Sequence, residues 1–195
     1  MESTESAWDP VSALSAADRS HFTDPWDDLS PLNVPGPFYT GNTDTCWTGR
    51  MAAPHNVIYA GDYFAEHVFR QPRDSDEVAA LAEAAEADPF SGYGCDGDDR
   101  WTPEAVRRWW RDRQGVIDRV SADLETLNAE ANSNSLEAAD GLREFLAYLE
   151  TGLETDLRAY LFRLETGRYP GSGEQLPELS PRHLPRDAAR TRPTG

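Results

Sequence analysis

The sequence predicts a predominantly helical α+β fold: a long antiparallel helical hairpin plus a shorter helix, covered by an aromatic- and loop-rich N-terminal half with a few short strands. Three observations predict it. Leu142, Phe145, Leu146, Leu149, Leu153, Leu157, Tyr160, Leu161 and Leu164 recur at helical spacing. Val106, Trp110, Ile117, Val120, Leu124 and Leu127 form a second seam, interrupted at Arg113. Between Pro31 and Gly41, by contrast, five prolines or glycines break any period.

Taken in order, residues 1–23 read as a weakly ordered arm, 24–168 as a single globular domain, and 169–195 as a disordered Pro/Gly/Arg-containing tail. Within the domain, residues 24–73 are mostly loop. Short strands are expected at 56–60 and 66–71, joined across Gly61-Asp62. Asp74 followed by Glu77 marks a helix start, and that helix stops before Pro89. Thr102 is a suitable N-cap with Pro103 at the first helical position, and the helix it opens runs to about Ala129. Trp110 fits its seam, which leaves Trp109 at the edge. The next apolar run, 136–166, is one helix or two meeting near Gly152, closed by Gly167. A short connection between two such elements makes an antiparallel hairpin about 40 Å long.

The formal net charge is −17 and all basic residues are arginine. Residues 168–195 carry five arginines against Glu174, Glu178 and Asp187, so residues 1–167 carry −19. Such a field repels phosphates and anionic lipid and attracts basic protein surfaces. A basic protein partner is therefore expected, and nucleic acid and membrane are not. The N-terminus has neither a positive region nor an apolar run, which points to a cytoplasmic protein with Cys46 and Cys95 as free thiols.

The loop from Tyr93 to Trp101 concentrates Asp96, Asp98 and Asp99. As a calcium loop it fails: counted from Asp96, the sixth position is Trp101 and the twelfth Arg107. Zinc spacing is absent too, since Cys46 and Cys95 stand 49 residues apart and His55 and His67 twelve. No phosphate-cradling glycine motif or nucleophile elbow occurs, so no cofactor, no metal and no assigned catalytic residue is expected. An enzyme is the lesser reading. It would use Cys46 or Cys95 with His55 or His67, between the 42–50 and 92–101 loops.

The blocks PWDDLSPLNVPGPFYTGNTDTCWTGR, NVIYA, VFRQPR and ADPFSGYGCDGDDRWTPEAVRRWW resemble a family of small uncharacterised bacterial proteins over residues 25–113. In size, acidity and aromatic loops the chain is also similar in character to immunity proteins of toxin systems. These features together predict a protein-binding factor, an immunity or antitoxin-like protein masking a basic effector. Its contact rim would be Asp44, Trp47, Asp96, Asp98, Asp99 and Trp101. A third reading is an accessory or scaffold protein that dimerises through its helical hairpin, marked by an exposed leucine stripe on 142–164.

Overall fold

The computed structural model describes residues 8–130 and 132–180, so the expectations for 1–7 and 181–195 lie outside it. The described chain forms α1 (Ala16–Arg19), β1 (Tyr39–Thr40), α2 (Gly49–Ala52), β2 (Val57–Ala60), β3 (Ala65–Val68), α3 (Ser75–Ala87), β4 (Tyr93–Gly94), α4 (Gly97–Arg100), α5 (Pro103–Asp112), α6 (Gln114–Glu130), α7 (Ser133–Thr151) and α8 (Leu153–Thr166). Among the described residues no helix is long and apolar enough to cross a membrane.

Local chemistry accounts for the boundaries. Asp74 caps α3 by accepting from the Asp76 and Glu77 amides. Thr102 caps α5 through the Ala105 amide, with Pro103 in the first turn. Gly167, at φ 80°, ends α8 in the left-handed region that glycine adopts without steric cost. Gly152 separates α7 from α8, the two-helix form of the 136–166 segment.

The first long helix differs from expectation: it breaks at Arg113 into α5 and α6. Its buried residues are Val106, Trp109, Val116, Val120, Asp123 and Leu127. This seam is rotated at three of its positions: it keeps Val106, Val120 and Leu127 but takes Trp109, Val116 and Asp123 where the apolar pattern has Trp110, Ile117 and Leu124. Trp110, Ile117 and Leu124 are only partly buried. Two polar groups explain the rotation. Asp123 is buried because it accepts from the Gly61 amide at 2.8 Å and from Arg119 Nε at 3.1 Å. Arg113 stays at the seam's margin by stacking on Trp110, 3.7 Å from the ring centroid. Trp109, expected at the edge, is only 9% exposed and donates its indole N–H to Pro31 O.

The architecture has three layers. Helices α5–α8 form one, with α6 and α7 as the antiparallel pair. The β2–β3 hairpin lies against α7, its register pairing Val57 with Val68 and Ala60 with Ala65. On its other side Val57 and Val68 join Val78 and Leu81 of α3 and Tyr93 in a second core. The packed body also extends past both expected domain limits. Phe22 is buried and meets Phe38 at 5.5 Å. Leu179 is buried, and Arg158 holds the Leu176 and Pro177 carbonyls on α8.

A side chain joins the two small sheets. Asn33, buried before β1, accepts from the Thr40 and Val68 amides at 2.9 and 3.0 Å. Its amide nitrogen donates to the Thr40 and Ser30 carbonyls. Asn33 thus takes the place of a hydrogen-bond ladder between β1 and β3. Replacing it with alanine strands several buried backbone groups, each costing about 1–3 kcal/mol. The expected outcome for Asn33→Ala is a loss on the order of 3 kcal/mol or more by urea denaturation. A loss below about 0.5 kcal/mol, the range of ordinary surface changes, would show that the joint does not depend on it.

Candidate functional site

The antiparallel pair β1–β4 sets Thr40 opposite Tyr93 and so lays the 41–49 loop against residues 88–92. Gly92 has to be glycine here, because a Cβ would fall 2.4 Å from Asn42 O. Asp88 knits the two segments together. One oxygen accepts from the Asp44 and Phe90 amides, the other from Gly92 N at 2.6 Å.

Beneath the loop lies Glu66, fully buried on β3. Its carboxylate accepts from Gly49 N and Tyr93 OH, both at 2.6 Å, and its amide donates to Thr43 Oγ1. Burial raises its pKa against the lowering effect of those two donors, and the nearby Asp44 and Asp88 add to the rise. Tyr59 completes the floor, accepting from Arg50 N and donating to Trp47 O. The Trp47 ring stacks on Tyr59 at 5.1 Å, held by a backbone at φ 62°. Asp24, Phe64 and Ser91 are the other non-glycine residues at positive φ among those described, all in this loop layer. Such conformations cost of order 1–3 kcal/mol each and persist where neighbours fix them.

The six residues expected on a single rim do not share one surface. Asp44 is buried, contrary to a rim role, because its side chain turns in to accept from the Cys46 amide. Trp47 sits at the Tyr59–Phe64 end of the loop. Asp96 accepts from Tyr39 OH and pairs with Arg100 at 2.7 Å. Trp101 shares that neighbourhood, edge-on to Trp26, which is edge-on to Tyr39. Asp98 faces inward to Arg163 at 3.1 Å, its pKa raised by burial and pulled back by that guanidinium. Asp99 is exposed.

The Cys/His reading is not assembled. Among the described residues no hydrogen bond links either thiol to either imidazole. Cys46 is exposed, and the Asp44 carboxylate raises its pKa. Cys95 is buried beside Arg19, and burial pushes its thiol up to about 12. Neither is the lowered-pKa thiolate that nucleophilic catalysis uses. His55 is exposed. His67 is buried, with Nε2 donating to Ala60 O. The stripe expected of a hairpin dimeriser is also absent from the described surface: Leu142, Leu149, Leu153, Leu157 and Leu161 are all buried.

Two features escaped sequence reasoning. One was legible: residues 74–99 hold nine acids and no arginine or histidine. Of these, Asp76, Glu83, Glu86 and Asp99 are exposed and make no ion pair among the described residues. The other was not. A cleft of about 210 Å3 opens between the N-terminal strap at Trp8 and Pro10, the 35–37 bend and α8. It adjoins α4, because Gly97 N donates to Pro37 O. The cleft joins residues more than a hundred positions apart, so no local pattern announces it.

No family model matches the chain, and no curated protein or solved structure matches it either.

Two measurements follow from the site. His67 has its pKa lowered from 6.5 to about 4 by burial. The unfolded chain takes up that proton between about pH 6.5 and 4 while the folded chain refuses it. Stability from this group is thus complete above the unfolded value and lost as pH falls through the window. The loss is about 3 kcal/mol, at 1.36 per pKa unit. Urea unfolding of wild type and His67→Gln at pH 7 and pH 4 should show wild type losing that much relative to the variant; a pH-independent difference contradicts the buried neutral imidazole. For the thiols, Asp44→Asn should speed alkylation of Cys46 at neutral pH, and Cys95 should react only on unfolding. An unchanged Cys46 rate removes the role given to Asp44.

Proposed function

We propose that the protein is an acidic, cytoplasmic binding factor of the immunity or antitoxin kind, which masks a basic protein such as a nuclease. The supporting observation is the segregation of charge. Residues 20–69 contain a single arginine, Arg50, and residues 74–99 contain none. That arginine is turned inward and is 4% exposed. Glu77 pairs with Arg70 and Asp96 with Arg100, but Asp76, Glu83 and Glu86 on the outward face of α3 make no ion pair among the described residues. Exposed Phe90 and Met51 lie in the same layer and supply apolar contact beside the charge. Long-range attraction of this kind speeds encounter with an oppositely charged surface and weakens as salt shortens the Debye length from about 8 Å to about 3 Å.

Membership of the small bacterial family resembled over residues 25–113 belongs to the same proposal. The thiol environments give the enzyme reading no comparable support.

Cross-linked co-purification from the native host, with mass spectrometry of what is retained, supplies the partner for the test. The partner should be basic. Its association rate should fall steeply with ionic strength and with the combined change Asp76→Asn, Glu83→Gln, Glu86→Gln. A charge-matched control, Glu125→Gln with Glu150→Gln and Glu154→Gln, lies on α6, α7 and α8 and should change the rate little. Stability should move by no more than about 0.5 kcal/mol in either variant. An acidic partner, a salt-independent rate or an equal response of the control overturns the proposal.

A further inference from the structure

Beside the acidic segment lies the cleft under the N-terminal strap, and its walls define what fits it. Trp8, Tyr148, Tyr160 and Tyr169 line it together with prolines of the 35–37 bend. At about 210 Å3 it is smaller than the roughly 300–1,000 Å3 of small-molecule pockets, so one side chain is the natural occupant. One carboxylate, Asp156, stands at its lip. Oδ2 accepts from Tyr148 OH at 2.7 Å and meets Arg73 Nη2 at 3.4 Å, while Oδ1 receives no bond among the described residues. Arg73 itself is half-exposed, and its contact is long. Deeper in, Tyr160 is 4% exposed and its hydroxyl is engaged by the neighbouring Asp98 carboxylate, which leaves the phenol oxygen's lone pairs as an acceptor. Burial raises that phenol's pKa, and the Asp98 carboxylate beside it adds to the rise.

We infer that the cleft is an anchor pocket for an arginine side chain of the basic partner. The inference rests on the proposed capture of a basic protein and names the group that is gripped. A guanidinium is planar, stacks on aromatic faces and is purely a hydrogen-bond donor. Aromatic rings provide the faces, and Asp156 Oδ1 with the Tyr160 oxygen provides acceptors. The rings already accept this geometry from within the chain, since the Arg163 guanidinium carbon lies 5.6 Å from the Tyr169 centroid. The surrounding charge favours a cation as well: Asp9, Asp98 and Asp156 face Arg73 and Arg163.

The test uses the full chain and a probe independent of any partner. N-acetyl-arginine amide is titrated in and followed by NMR at the Trp8 indole N–H, with N-acetyl-norleucine amide as the uncharged control of similar length. The arginine probe should shift that resonance saturably, with a dissociation constant on the order of 1 mM for so small a ligand. Asp156→Asn, which keeps an acceptor for Tyr148, and Trp8→Ala at the exposed rim should each weaken it at least about tenfold, a change of about 1.4 kcal/mol. Equal shifts from the norleucine probe, no shift at Trp8, or unchanged binding in Asp156→Asn overturns the inference. The α3 variants should leave probe binding intact. Loss of partner capture with intact probe binding therefore strikes the capture reading alone, and the converse strikes the pocket alone.

Discussion

Arg50 is the contact on which the arrangement depends. Its guanidinium lies between α2 and α7, with Nε 2.8 Å from Glu137 and Nη2 3.4 Å from Glu144. Nη1 donates to the Pro54 and Val57 carbonyls. α7 makes room for it at Gly141, where a Cβ would fall 2.8 Å from the guanidinium. Removing the cation would leave two carbonyls and a packed cavity without a partner, a far larger loss than that of an exposed pair. The same contact shapes the electrostatics. By drawing the one arginine of residues 20–69 into the interior, the fold leaves its loop layer uniformly acidic outside.

That layer has little regular structure to satisfy its backbone. Two of its strands are two residues long. Side chains do the work instead: Asn33 between β1 and β3, Glu66 under Gly49, Asp88 under residues 44 and 90–92, and Asp24 accepting from the Cys95 amide. Buried acceptors of this kind are tolerated because each receives donors, as buried polar groups must. The acids of this protein thus fall into two classes. Those facing inward organise loops, and those facing outward carry the field.

How much of this could be read from the sequence follows from the range of each interaction. The caps at Asp74 and Thr102, the stop at Gly167 and the hairpin around Gly61 are local, and the residues announced them. The α5–α6 seam departs from the apolar pattern at three positions because its inner face includes Asp123, whose burial depends on the Gly61 amide 62 positions away. Apolar pattern alone prefers Ile117 and Leu124 at those places. Asp44 looked like a rim residue because polar loops are normally exposed; its burial depends on the β1–β4 pairing. The charge asymmetry needs no structure to see. Which carboxylates remain free does, since Asp96 and Asp98 are engaged by Arg100 and Arg163 while Asp99 is not.

The bridging role of Asp88 has a consequence for recognition. Because one carboxylate holds the amides of residues 44, 90 and 92, the two loops cannot shift independently without stranding a buried charge. A surface tied in this way has already given up its freedom during folding. Ordering each rotamer-rich side chain at an interface otherwise costs about 0.5–1.5 kcal/mol. Preorganised loops spare much of that, so contact energy goes into affinity, and free and bound forms of the layer should superpose closely.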